Sequence, residues 1–253
     1  IFPWNHANCG DLNLSGERRP QSYLRETLWS DAPVSHIVVT PPVPSFPLNP
    51  DKADWSVWDF PDVVDHWNFP GYEGKKMTVS VYSNCEQVEL FLNGESLGKQ
   101  ENTADKKNTL VWEVPYAHGI LKAVSYNKGG EVGTATLESA GKVEKIRLSA
   151  DRTEIVADGN DLSYITLELV DSKGIRNQLA EELVEFSIEG DATIEGVGNA
   201  NPMSIESFVA NSRKTWRGSN LLVVRSGKSS GRIIVTAKVK ALPVASITIT
   251  QKK

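Results

Sequence analysis

Cysteine is scarce in this sequence: two residues in 253, Cys9 and Cys85, with no Cys-x-x-Cys spacing. Neither a zinc site nor a redox pair is indicated, and the two read as unrelated thiols in different regions. An excess of positive charge is also missing. Lys and Arg total 27 against 32 Asp and Glu, a net charge of −5, which argues against a nucleic-acid partner. No run of 18 apolar residues occurs, so no membrane-spanning helix is expected, and the N-terminus carries no basic-then-apolar leader.

The common catalytic signatures are absent as well. There is no Gly-x-Gly-x-x-Gly, Walker loop, His-Glu-x-x-His or Gly-x-Ser-x-Gly. The four His (His6, His36, His66, His118) are not clustered at metal spacing and read as surface or structural. "ADGND" and "DSKG" resemble parts of calcium loops but lack the EF-hand spacing, so turn chemistry is the reading there. Glycosidase chemistry needs two carboxylates facing across a pocket. Strand alternation would instead put most Asp and Glu on solvated faces. The sequence nominates no catalytic residue, no metal ligand and no cofactor.

What is present is uneven. Six of the seven Trp and all four His fall in the first 120 residues, while the last hundred are rich in Val, Ile, Thr and Ser. From Arg19 to Leu28, Tyr23, Leu24 and Leu28 recur at helical spacing, with Pro20 suited to a first turn. A helix this short needs a partner to cover its apolar stripe. Residues 31–75 are Pro-rich and aromatic, which predicts an extended segment laid over a surface.

From residue 76 the period is two. Met77, Val79 and Val81 alternate with Thr78, Ser80 and Tyr82, and Asn93-Gly94 between alternating runs predicts a type I′ hairpin. Five or six short strands fit between 76 and 138. After a boundary at 139–143 a second series begins, with strands every 8–12 residues separated by Gly, Asp and Asn turns. The expected fold is all-β: two tandem immunoglobulin-like antiparallel sandwiches behind a short helix. The expected segments are 1–30, a connector at 31–75 that begins the first sandwich, 76–140, and 141–253.

Trp55, Trp58, Phe60, Trp67 and Phe69, with Asp54, Asp59, Asp62 and Asp65 among them, form the best candidate ligand surface. Sugar rings stack on flat aromatics and carboxylates accept from hydroxyls. The competing reading is that these rings pack into a core or an interface.

The stretch "CGDLNLSGERRPQSYLRETLW" (9–29) resembles the last strand-to-helix stretch of the (β/α)₈ barrel in glycoside hydrolase family 2, the β-galactosidase/β-glucuronidase family. Gly10, Asp11, Gly16, Pro20, Gln21, Ser22, Tyr23, Arg25 and Trp29 match the usual pattern there; Asn13 replaces a common Asp and Leu24 a common Tyr. "VYSNC…VELFLNG.SLG" is similar to the sandwich that follows that barrel. "ADGNDLSYITLELVDSKG" and "GVGNANPMSIESF" resemble the further C-terminal, invasin-like domain of the same enzymes.

The resemblance implies a non-catalytic C-terminal region of a retaining exo-glycosidase of the β-galactosidase type, because the family's two glutamates lie upstream. Its implied partners are the catalytic barrel of the same polypeptide and the parent's carbohydrate substrate. An isolated chain is expected to pair through its barrel-facing surface, and the parent to be periplasmic or extracellular. Trp4, Asn5 and His6, near a barrel strand end, would line the parent's pocket. Two other readings are a carbohydrate-binding module, on the strength of Trp55, Trp58 and Trp67, and a cell-surface adhesin array, on the strength of the second sandwich.

Overall fold

The computed structural model describes residues 10–45 and 61–253. The chain divides into two units, one built on Glu17–Ser139 and the other on Ala140–Lys253.

In the first unit the alternation from residue 76 becomes strand β2 (Lys76–Ser83). It lies between β1 (Ser35–Val39) and β5 (Thr109–Pro115) in a three-stranded antiparallel sheet. The facing sheet has the order β4 (Glu95–Glu101), β3 (Gln87–Leu92), β6 (Ile120–Asn127), β7 (Gly130–Glu138). Asn93 and Gly94 hold φ of 52° and 86°, the two positive values that a type I′ turn requires. Val79, Val81, Val88, Leu90, Leu110 and Leu121 close the core between the sheets.

Two features depart from the period-two pattern. Tyr82 and Val38 point away from that core, yet both are buried with Val63, because helix α1 (Ser22–Trp29) covers the outer face of β1 and β2 with Tyr23 and Leu24. The part of 31–75 expected to lie over a surface is instead woven in: Val64, Trp67 and Phe69 are core residues, and Val64 exchanges backbone hydrogen bonds with Val39.

The second unit packs the sheet β12 (Ala192–Gly198), β14 (Ser219–Ser226), β10 (Leu162–Val170), β8 (Lys145–Ala150) on a five-stranded one. The latter runs β13 (Ser212–Lys214), β11 (Leu183–Glu189), β15 (Gly231–Val239), β16 (Ala245–Lys252), β9 (Glu154–Val156). All pairings are antiparallel except that of β16 with β9. The strands β9 and β13, three residues each, are too short to show any periodicity in the sequence. The Asp of each suspected calcium loop organises its own turn. Asp171 accepts from the backbone N–H of Gly141, Lys173 and Ile175, and Asp158 from those of Asn160 and Asp161.

Candidate functional site: a helical platform on the first sandwich

The segment ahead of α1 folds back on itself before the helix begins. Leu12 bridges Arg18, Asn13 N–H donates to the Glu17 carbonyl (2.9 Å), and Gly16 turns the chain with φ +78°, a conformation that favours glycine. Arg19 N–H closes the loop on the Asp11 carbonyl, and Arg25 forms an ion pair with Asp11. The Asp and Arg of the 9–29 motif thus hold the loop to the helix. The helix starts at Ser22, two residues after Pro20, rather than at Arg19.

One side of α1 is fastened to the sandwich by aromatic and charged groups. The Tyr23 ring stacks on the His36 imidazole of β1 at 4.1 Å with an 11° interplanar angle, and the Arg18 guanidinium lies over the Tyr23 ring at 4.6 Å. Glu26 Oε2 accepts from Arg18 Nη1 (2.7 Å) and from His36 Nε2 (3.0 Å). Tyr23 Oη donates to Asp65 at 3.4 Å. Burial, followed by the Asp65 charge, raises the Tyr23 pKa to about 12. Burial outweighs the Glu26 carboxylate and lowers the His36 pKa, so the imidazole is neutral near pH 7 and donates Nε2–H. The hydrogen bond from Arg18 is the main cause that lowers the Glu26 pKa.

The C-terminal end of the helix is held by the "SNC" of the sandwich motif. Asn84 Nδ2 donates to the carbonyls of Ser30 (3.0 Å) and Ala32 (2.9 Å), while its Oδ1 accepts from Val34 N–H (2.7 Å). Asn108 Nδ2 reaches Thr27 Oγ1 at 3.1 Å. Asn84 and Asn108 are the residues that sequence reasoning missed. Asn84 stands in the most family-like string of the chain, and that string was the available signal. Cys85, buried beside Asn84, packs as part of the same clamp.

The other side of the platform is open and apolar. Leu28 is 62% and Trp29 83% exposed, and Leu12 on the fold-back loop is exposed too. The platform's carboxylates Asp11 and Glu26 are engaged in ion pairs with Arg25 and Arg18.

Trp67 lies elsewhere. It is fully buried, its Nε1–H donates to the Ala117 carbonyl (2.9 Å), and it meets Tyr116 and Phe69 edge-on at 5.0 and 5.9 Å. Its ring is a core plug with no face free for a sugar. Trp4, Asn5, His6, Trp55 and Trp58 lie outside the described residues. Among the described residues, no group of three or more His, Cys, Asp and Glu could hold a metal ion, and no helix is long and apolar enough to cross a membrane.

Comparison with known proteins agrees with the fold. The family model described as glycoside hydrolase family 2 C-terminal domain 5 matches residues 146–248, and a model of a domain of unknown function matches 74–133. A beta-galactosidase, BoGH2A, of Bacteroides ovatus is 30% identical over all 253 residues, which cover 26% of its length. The crystal structure of a glycosyl hydrolase family 2 member from Bacteroides cellulosilyticus superposes with a TM-score of 0.92 at 96% identity, over 97% of this chain and 32% of that one. A beta-glycosidase from Bacteroides vulgatus gives 0.80 at 25% identity, over 95% of this chain and 28% of that one. The chain therefore spans between a quarter and a third of the length of these relatives.

Proposed function

We propose, since this chain belongs to glycoside hydrolase family 2 through its C-terminal β-sandwich region, that it is the non-catalytic part of a larger β-glycosidase and supports that enzyme's catalytic barrel. The observation that carries this reading is the two-sided helix α1. One side is clamped to the first sandwich by Tyr23, Glu26 and Thr27, and the other carries Leu28 and Trp29 into solvent. A helix that spends its polar residues on its own sandwich and exposes Trp has its apolar partner elsewhere. In this reading the partner is the barrel that α1 completes. The substrate is a terminal β-galactoside, and Trp4, Asn5 and His6 contribute to the pocket rim.

The test compares this chain with the full-length enzyme. The full-length enzyme should release chromophore from an aryl β-galactoside faster than from the glucuronide, and the chain alone should release none. Turnover by the chain alone, removed by a single Glu→Gln change, would overturn the proposal. Leu28→Asp with Trp29→Ala should lower the melting temperature of the full-length enzyme by more than that of the chain alone. In isolation the same face pairs two copies, so light scattering should show a dimer that the double variant abolishes.

A further inference from the structure

Between β12 and β13 the second unit spends residues 199–211, NANPMSIESFVAN, on a loop without regular structure. The loop is nevertheless fixed. Arg213 on β13 is fully buried beneath it, donating from Nη1 to the Val197 carbonyl (3.0 Å) and from Nη2 to Ser204 Oγ (3.0 Å), with its guanidinium 4.2 Å from the Phe208 ring. Glu206 accepts from Lys214 N–H (2.9 Å) and Ser204 Oγ (2.9 Å), and Asn199 Nδ2 donates to the Lys214 carbonyl (2.9 Å). Val197 N–H reaches the Phe208 carbonyl at 2.8 Å.

Burying a guanidinium is costly unless it is well bonded. Here it holds a loop whose apolar side chains point outward: Ile205 is 80% exposed, Val209 81% and Phe208 46%. Those three side chains add nothing to the sandwich core. Their shape is preorganised for contact, which lowers the cost of binding.

The chemistry of the loop narrows the occupant. Residues 199–211 contain no Lys or Arg, and their one carboxylate is already engaged, so neither an anionic lipid surface nor nucleic acid is matched. Ile205 and Val209 offer no flat π-face to a sugar ring, and the Arg213 guanidinium already covers one face of the Phe208 ring. An apolar protein surface fits, and the relatives are three to four times longer than this chain, which covers 26% and 32% of them. We infer that Ile205, Phe208 and Val209 form a docking loop for a part of the same glycosidase outside these 253 residues. The inference rests on the reading that the chain is part of such an enzyme.

The test places a benzophenone photocrosslinker at position 209 of the full-length enzyme, with position 29 as the reference for that reading and Thr248, exposed on the outer face of β16, as the background. Position 209 should cross-link within one polypeptide to a peptide outside these 253 residues, at a yield well above that from 248. Cross-links only between copies, or a yield no higher than from 248, would overturn the inference. A successful cross-link from 29 in the same experiment would leave the enzyme-part reading standing, and failure at both positions would remove both. Ile205→Asp with Val209→Asp supplies the second readout. The melting temperature should fall by several degrees in the full-length enzyme and stay unchanged in this chain alone. Equal effects in the two proteins would count against docking.

Discussion

The two sandwiches fill their cores from different sources. Among the described residues, every buried residue of the second core lies in a strand, from Ile146 on β8 to Ile249 on β16, and Phe186 is the one aromatic among them. The first core takes Val64, Trp67, Phe69 and Tyr116 from outside its strands, and three of these rings meet edge-on within 6 Å of one another. The first unit is therefore a sandwich plugged from the side by an irregular, Pro-rich segment and roofed by a helix. The second is closed by its own strands, which frees an irregular loop to face outward. A core borrowed from a loop makes that loop indispensable to folding, whereas a loop that contributes nothing to the core is available for contact.

The largest expected effect tests this contrast directly. Trp67→Ala removes the plug and leaves the Ala117 carbonyl without its donor, at a cost of about 3–5 kcal/mol. Calorimetry should show the first unit's transition falling steeply while the transition of the second keeps its midpoint. Phe186→Leu in the second core keeps an apolar side chain and deletes only part of the ring, so it should cost less, about 1–2 kcal/mol. Equal losses from the two substitutions would erase the distinction.

The same contrast explains what the sequence revealed. Both series of strands, and the hairpin at Asn93-Gly94, were legible because alternation and a positive-φ turn are local properties. Tyr82 was misleading because alternation assigns it to solvent, whereas a helix distant in sequence covers it. Trp67 could be read two ways, since an aromatic, Pro-rich segment looks the same whether it plugs a core or faces a sugar. The docking of α1 was hidden for another reason. Its buried residues are Ser22 and Thr27, and the contacts that fix it join Tyr23 and Glu26 to His36, pairs that no hydrophobic stripe reveals. Arg213 gave no signal either, as nothing in "NSRKTW" marks a buried guanidinium.

An intermediate effect is expected from Arg213→Met. It keeps much of the volume but leaves the Val197 carbonyl and Ser204 Oγ without their charged donor, at a cost of about 2–3 kcal/mol. Hydrogen exchange should rise across residues 199–211 and stay unchanged in β10 and β14. Exchange rising throughout the sheet would mean that the loop is part of the second unit's fold after all. Asn84→Ala is the counterpart in the first unit. It removes three hydrogen bonds that tie residues 30–34 to the sandwich, about 1–2 kcal/mol in net terms, and exchange should rise in α1 before it rises in β2.

The smallest effect is one of pH, and its His36 step belongs to the first unit because the helical roof is there. The His36 pKa lies below its ordinary value of 6.5, so as pH falls through that value the unfolded chain takes up a proton before the folded one does. The stability linked to His36 is complete above about pH 6.5 and declines on acidification. Glu26, lowered from 4.5, acts in the same direction: its contribution is present above that value and is lost as pH falls through the lowered one. Trp29, exposed at the end of α1, should report loosening of the helix by fluorescence in two successive acid steps, while the second unit, whose Asp158, Asp161, Asp171 and Asp191 also have lowered pKa values, should respond only in the lower one. Removing the carboxylate separates the causes. Because burial lowers the His36 pKa and Glu26 partly restores it, Glu26→Gln should move the NMR titration midpoint of His36 further down. A midpoint that rises instead would mean that Glu26 does not stabilise the imidazolium, and the network between α1 and β1 would have to be redrawn around Tyr23 and Arg18.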